Sequence, residues 1–114
     1  MAMKAWPRYD LQTRTVAGGR IDVYRRDDRL GTGPCMSLYA GTVEIMRFDL
    51  FDPAHEHWAV GKKTRMYYPE GLDRFTLAGF HLRHHSRFVA ALLNKRLKVS
   101  DADAEWAVTT VRTL

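Results

Sequence analysis

The sequence has a single cysteine and no long apolar run, and each lack excludes a class of protein. Cys35 is the only cysteine in 114 residues, so the chain forms no internal disulfide and no cysteine-rich zinc module. No stretch reaches the roughly 18 apolar residues of a membrane-spanning helix, and the first residues lack the apolar core of a secretory signal. Repeats and low-complexity segments are absent as well. We therefore expect one soluble domain, residues 1–114, located in the cytoplasm.

The first half of the chain has the period of β-strands. Residues 20–25 alternate polar and apolar side chains, which is typical of a half-buried strand. Strand-forming residues on both sides of Ala40-Gly41 predict a hairpin. In its second arm the apolar parity slips at Ile45-Met46, which a β-bulge or a strand buried on both faces would produce. We predict strands within about residues 12–68.

The period changes after Pro69-Glu70-Gly71, and the rest of the chain is predicted to be helical. Over residues 72–98 the apolar side chains recur at helical spacing on one face. They are Phe75, Ala78, Leu82, Val89, Leu92 and Leu93. Ser100 is a suitable N-cap for a second helix over about residues 101–112. Strands followed by helices predict an α+β fold, in which a small, mostly antiparallel sheet packs against one long and one short C-terminal helix.

The histidines are clustered in the sequence, because all five lie within 31 residues. His55 and His57 are two apart in a predicted strand, so both project from one face while Glu56 points to the other. His81 and His85 are four apart in the predicted helix and are therefore neighbours. Imidazole suits zinc or iron, so the pattern predicts a divalent metal site made by the four residues His55, His57, His81 and His85.

A structural explanation for the histidines stands beside the metal hypothesis. His85 falls on the predicted apolar face, where a buried and hydrogen-bonded histidine is common. His55 and His57 follow a proline turn, and exposed loop positions would explain them equally well. Asp49 and Asp52 lie near the histidines in sequence and are candidates to accept hydrogen bonds from metal-bound histidines or to cap a turn. Whether the protein is an enzyme is left open at this point.

Basic residues are concentrated in the predicted long helix. Residues 71–98 carry six basic and one acidic side chain, whereas the whole chain has a net charge of +5. A phosphate-binding surface would use the four residues Arg83, Arg87, Lys95 and Lys98. A solvated outer helix face explains the same charges, and no helix-turn-helix or ribonucleoprotein motif accompanies them. Nucleic-acid binding is therefore not the favoured interpretation.

Two segments resemble a bacterial family of small uncharacterised domains. Residues 46–51, Met-Arg-Phe-Asp-Leu-Phe, match an Arg-Phe-Asp-x-Phe strand, and residues 55–58, His-Glu-His-Trp, match a His-x-His turn. Residues 75–77, Phe-Thr-Leu, match the opening of the helix that follows. The resemblance covers roughly residues 42–97, and the chain departs from it by placing Ala54 before the first histidine. It implies a compact α+β domain and a role for His55 and His57, with no substrate.

Three functions from different classes follow from these observations. The favoured one is a small binding or accessory domain that associates with itself or with a protein partner. The alternative is a metal-dependent enzyme built on the histidines. The third is a basic binder of phosphate or nucleic acid.

Overall fold

The structure is a computed structural model that describes residues 7–51, 53–59 and 64–114, without the side chains of Thr64 and Arg65. Six strands are followed by two helices. The strands are β1 (Tyr9–Val16), β2 (Gly19–Asp28), β3 (Gly31–Ala40), β4 (Val43–Asp49), β5 (His55–Trp58) and β6 (Thr64–Tyr67), and the helices are α1 (Arg74–Leu92) and α2 (Asp101–Val111). Each strand pairs antiparallel with the next, in the order of the sequence. The predicted α+β fold is confirmed.

The hairpin of β3 and β4 contains the irregularity that the sequence pattern predicts. Leu38 pairs with Met46 and Tyr39 pairs with Glu44, so Ile45 is an extra residue in β4. Ile45 and Met46 are both fully buried despite being neighbours. A bulge allows this because it lets two successive side chains turn towards the interior. The bulge at Ile45-Met46 is therefore confirmed.

One face of the sheet and the two helices enclose the main core. Helix α1 packs on β4, and α2 packs on β2 and β3. The fully buried side chains of this core include Ile21, Val23, Met36, Leu38, Phe48, Leu82 and Val89. Within the described residues, no helix combines the length and apolar character that crossing a membrane requires.

Helix α1 is shorter than the sequence period predicts, and the expectation that it extends to Lys98 is wrong. It ends at Leu92, and Asn94 adopts a left-handed backbone conformation with φ of 55°. The Lys95 amide donates to the Ala90 carbonyl and the Asn94 amide to the Ala91 carbonyl, which is the pairing of a Schellman motif. Leu93 and Leu97 continue the apolar spacing beyond the end of α1. The sequence pattern therefore predicts a longer helix than the structure contains.

The apolar face of α1 is also narrower than predicted. Leu82 and Val89 are buried against the sheet, whereas Leu92 is 54% exposed. The prediction that Leu92 faces the core is therefore wrong. Phe80 and Phe88 are exposed on the same helix, at 51% and 57%. Helix α1 thus presents large apolar side chains to solvent as well as to the sheet.

Gly79 lies inside the continuous helix α1. Its missing side chain allows α2 to approach α1 closely. A Cβ atom at this position would lie 2.4 Å from Cγ2 of Val108 on α2. We expect Gly79→Ala to lower the free energy of unfolding by about 1–3 kcal/mol, because the added methyl group overpacks the contact. In a Val108→Ala background the same change should stabilise by up to about 1 kcal/mol through helix propensity. Urea denaturation of the four proteins measures both effects; equal effects in the two backgrounds would contradict this packing.

Asp73 joins the start of α1 to the end of α2. Its carboxylate accepts hydrogen bonds from the backbone amides of Phe75 and Thr76 and from the Arg112 guanidinium, 2.5 Å away. The hydrogen bond from Arg112 is the main reason why the pKa of Asp73 falls to about 2.

The lowered pKa of Asp73 predicts a pH-dependent contribution to stability. The folded state holds this proton less tightly than the unfolded state, so the contribution is complete above pH 3.8 and is lost as the pH falls towards about 2. The group is exposed, so we expect less than about 1 kcal/mol. Asp73→Asn keeps a good N-cap but removes the charge. The difference in unfolding free energy between wild type and Asp73→Asn should therefore shrink between pH 5 and pH 2.5; a constant difference would contradict the assignment.

Candidate metal centre

Strand β5 distributes its polar side chains between the two faces of the sheet. Glu56 is fully buried and contacts His81 of α1, so it points to the face that the helices cover. Because side chains alternate along a strand, His55 and His57 project from the opposite face. Their rings lie 5.1 Å apart, centroid to centroid. The register of β5 therefore assigns Glu56 and the two histidines to separate sites.

The face of the sheet away from the helices is polar but largely shielded from water. Two buried carboxylates, Asp22 and Asp49, lie on it. Asp22 is bound by Arg8 at 3.0 Å and by the hydroxyl of Thr13 at 2.8 Å. The guanidinium of Arg8 also lies over the ring of Tyr24, 4.1 Å from its centroid. Arginine side chains thus cover this face, although no helix of the described chain does.

Asp49 is the centre of a cluster of basic side chains. Its Oδ2 atom lies 3.1 Å from Nε2 of His55 and 3.2 Å from Nε2 of His57. Its Oδ1 atom lies 3.3 Å from Arg26 and 3.2 Å from Nε of Arg47. Arg47 and Asp49 are two apart on one strand, a spacing that predicts a solvent-facing pair. For Asp49 this prediction is wrong, because only 2% of the residue is exposed.

Asp49 is held in its charged form in spite of this burial. Burial by itself raises the pKa of a carboxyl group. At Asp49 the close approach of His57 and the positive charges of Arg47 and Arg26, with His55 beside them, outweigh burial, so the pKa is below its ordinary value. Asp49 therefore presents a carboxylate between two imidazoles.

The orientation of the two imidazoles suits a shared cation. Nδ1 of His55 lies 3.4 Å from the Pro53 carbonyl oxygen, to which it can donate its proton, leaving Nε2 as a lone-pair donor towards Asp49. Nε2 of His57 is buried and makes no hydrogen bond of regular geometry in the described part of the chain. Two imidazole nitrogens and a carboxylate oxygen form a donor set that zinc and iron prefer.

A cavity of about 370 Å³ gives access to this cluster. Asp49, His55 and Arg47 contribute its polar wall. The remaining wall comes from Leu30, Gly31, Thr32, Phe51, Pro53 and Tyr67. Phe51 lies against Gly31, where a Cβ atom would come within 2.4 Å of its ring. The glycine thus allows the aromatic ring to form one side of the cavity.

Cys35 borders the cluster but is not a candidate nucleophile. Its Sγ atom lies 3.7 Å from Oδ1 of Asp49, and the residue is fully buried. Burial, reinforced by the charge of Asp49, raises the pKa of the thiol far above its ordinary value. The thiol therefore stays protonated and serves as a small core group.

On the opposite face, Glu56 forms a second cluster that connects β5 to α1. Its carboxylate accepts hydrogen bonds from the indole of Trp58 at 3.1 Å and from the hydroxyl of Tyr68 at 2.7 Å, and it pairs with Nδ1 of His81. Burial, together with the charge of Glu56, raises the pKa of Tyr68. His85 packs beside this cluster, with its ring 5.4 Å from that of Trp58. These contacts tie the helix to the edge of the sheet.

The four histidines named from the sequence do not converge. His55 and His57 face Asp49, while His81 and His85 lie on the helix side with ring centroids 5.2 Å apart. His84 is exposed next to Arg83. The structure thus brings His55 and His57 together beside Asp49. His81 and His85 lie on the other face of the sheet.

The predicted phosphate-binding residues are also divided. Arg83 pairs with Asp101, 3.5 Å away. Arg87, Lys95 and Lys98 line a groove at the other end of the sheet, together with Arg96.

Sequence reasoning missed Asp49 as a candidate ligand, although a signal for it existed. Asp49 ends β4 and His55 begins β5, and the two residues pair directly with each other. In that register His57 pairs with Arg47 on the same face. The spacing Asp-x5-His-x-His over two paired antiparallel strands is the pattern that brings the three side chains together.

Comparisons with family models, with curated proteins and with solved structures found no match to this chain. The resemblance to the uncharacterised bacterial family therefore stays a prediction.

Replacing His81 tests the structural role of the Glu56 cluster. We expect His81→Ala to lower the free energy of unfolding by about 1–3 kcal/mol, because it removes one partner of a buried carboxylate. The matched change His84→Ala, at an exposed position of the same helix, should cost less than about 0.5 kcal/mol. Urea denaturation at neutral pH measures both changes. Equal losses of unfolding free energy would show that the contact between His81 and Glu56 does not stabilise the fold.

Proposed function

We propose that this domain binds one divalent transition metal ion, Zn²⁺ or Fe²⁺, through Asp49, His55 and His57. The observation that carries the proposal is the convergence of three ligand atoms, one from each residue, all within 4.8 Å of one another. Three protein ligands of this kind form the usual set of an open zinc or non-haem iron site.

Two of the three distances within the cluster match those between neighbouring ligands of one ion. Bonds of about 2.1 Å, at tetrahedral or octahedral angles, place adjacent ligand atoms roughly 3.0–3.4 Å apart. Oδ2 of Asp49 lies 3.1 Å from Nε2 of His55 and 3.2 Å from Nε2 of His57. Each imidazole therefore lies at a distance from Oδ2 of Asp49 that a shared ion would allow.

The arginines beside Asp49 are compatible with a cation. Arg26 approaches Oδ1 and is itself neutralised by Asp28, which lies 2.9 Å from its Nε. Arg47 bridges both oxygens of Asp49, at 3.2 Å and 3.3 Å. Partners of this kind orient a metal-binding carboxylate from outside the coordination sphere.

Open coordination positions would give the ion a role in the neighbouring cavity. Asp49 and His55 both line that cavity, so a small molecule with oxygen donors can complete the coordination. Among the described residues that line it, Asp49 is the only acid, and Glu56 belongs to the other face. This arrangement favours metal-assisted ligand binding over a reaction that needs a separate carboxylate base. Self-association, a protein partner and a cytoplasmic location stay predictions.

Metal content and affinity test the proposed site. Protein purified without a histidine tag and dialysed against Zn²⁺ should retain close to one ion per chain by elemental analysis. His57→Ala should weaken Zn²⁺ binding at least about tenfold in a competition titration with a chromogenic chelator. Asp49→Asn should do the same, because it replaces a charged ligand with a neutral one.

His84→Ala is the matched control, since it removes an exposed histidine outside the cluster. It should bind Zn²⁺ as the wild type does. Circular dichroism of each metal-free variant verifies that the fold is retained. Metal far below one ion per chain, or equal weakening by His84→Ala and His57→Ala, would contradict the site.

A further inference from the structure

A groove at the end of the sheet opposite to the metal cluster collects basic side chains. Arg87 of α1 and Lys95, Arg96 and Lys98 of the following segment line it, together with the turn Ala17-Gly18. Its volume is about 710 Å³, and none of the described residues that line it is acidic. We refer to it as the basic groove.

The four cations of the basic groove have no acidic partner within the described residues. This distinguishes them from nearby arginines: Arg83 pairs with Asp101 at 3.5 Å and Arg14 with Asp103 at 2.8 Å. Four like charges at one concave surface repel one another, and an anion relieves that repulsion. We propose that the basic groove binds a compact ligand with two or more phosphate groups.

The backbone around the groove holds the cations in place. The Schellman turn at Asn94 reverses the chain directly after α1, so Lys95 and Arg96 return beside Arg87. The Lys98 amide then donates to the Ala17 carbonyl at 2.9 Å. Gly18 lies so close to this segment that a Cβ atom would be 2.1 Å from the Arg96 carbonyl oxygen. The site is therefore built on ordered backbone from two parts of the chain.

The composition of the wall indicates which anion fits. In the part of the chain that the structure describes, the uncharged residues that line the groove are Ala17, Gly18, Ala91 and Leu97, none of which is aromatic. Binding of single-stranded nucleic acid normally uses aromatic rings on which bases stack. A groove with cations and no stacking surface recognises phosphate groups alone, which favours a short polyphosphate or a multiply phosphorylated small molecule.

The basic groove and the metal cluster are separate sites. Gly19 pairs with Ala40 at the end of β2 near the groove, and Asp28 pairs with Gly31 at the end near the metal-site cavity. Gly19 and Asp28 are nine positions apart along β2, which in an extended strand is about 30 Å. Either proposal can therefore fail while the other stands.

Titration with sodium tripolyphosphate tests the groove. At 50 mM salt we expect a 1:1 complex in isothermal titration calorimetry, with an affinity that falls steeply as salt is added. Arg87→Gln and Lys95→Gln should each weaken binding at least about fivefold, because each removes a charge-assisted contact. These two side chains lie on the surface, and thermal melting without ligand shows whether the fold is kept.

Arg83→Gln is the matched control, because it removes the same charge from the same helix outside the groove. It should bind tripolyphosphate within about twofold of the wild type, since the distance and the solvent screen its charge. His57→Ala should also bind unchanged, which separates this site from the metal cluster. Absence of binding at millimolar tripolyphosphate, or equal weakening by Arg83→Gln and Arg87→Gln, would overturn the proposal. Tighter binding of a ten-nucleotide oligothymidine, weakened by the same groove variants, would overturn it in favour of nucleic acid.

Discussion

The alternation of side chains along β5 is the constraint on which the account of this protein depends. Three successive polar residues, His55, Glu56 and His57, lie in a strand between two others, so they must point to alternate faces. Glu56 goes to the helix side, where it binds α1 through His81. The two histidines go to the other side, where β4 supplies Asp49. One short strand therefore both anchors the long helix and presents two of the three proposed metal ligands.

A buried carboxylate lies on each side of the sheet at β5. Asp49 and Glu56 are each almost completely removed from water, and an unpartnered carboxylate would be unstable in either place. Glu56 is satisfied by Trp58, Tyr68 and His81, which all come from elements packed around it. Asp49 instead has four basic side chains around it, with Arg26 and Arg47 at Oδ1 and His55 and His57 at Oδ2. The proposed cation would be shared by Oδ2 and the two imidazoles, on the side away from Arg26.

The architecture was largely predictable because it follows from periodicity. The change from strand period to helix period after Pro69-Glu70-Gly71 separates sheet from helices, and the parity slip at Ile45-Met46 locates the bulge. The end of α1 was not predictable in this way, since Leu93 and Leu97 keep the helical period after Asn94 has turned the chain. Local hydrogen bonding at the C-cap determines where α1 ends. The spacing of apolar residues contains no information about these hydrogen bonds.

The candidate site was only half predictable, for a different reason. Strand spacing was sufficient to place His55 and His57 together. It could not show that Asp49 is buried, because a charged residue two positions from Arg47 has the pattern of a solvent-facing strand. Arginines cover that face in this protein, and their role appears only when the sheet register is known. The convergence of His81 with His55 was excluded by the same register, which places a sheet between them.

The separation of the two histidine pairs is the central claim, and anomalous X-ray diffraction from a zinc-soaked crystal tests it most directly. Our account predicts one strong peak, within bonding distance of Oδ2 of Asp49 and Nε2 of both His55 and His57. A peak between His81 and His85, or no ordered zinc at the Asp49 cluster, would contradict it.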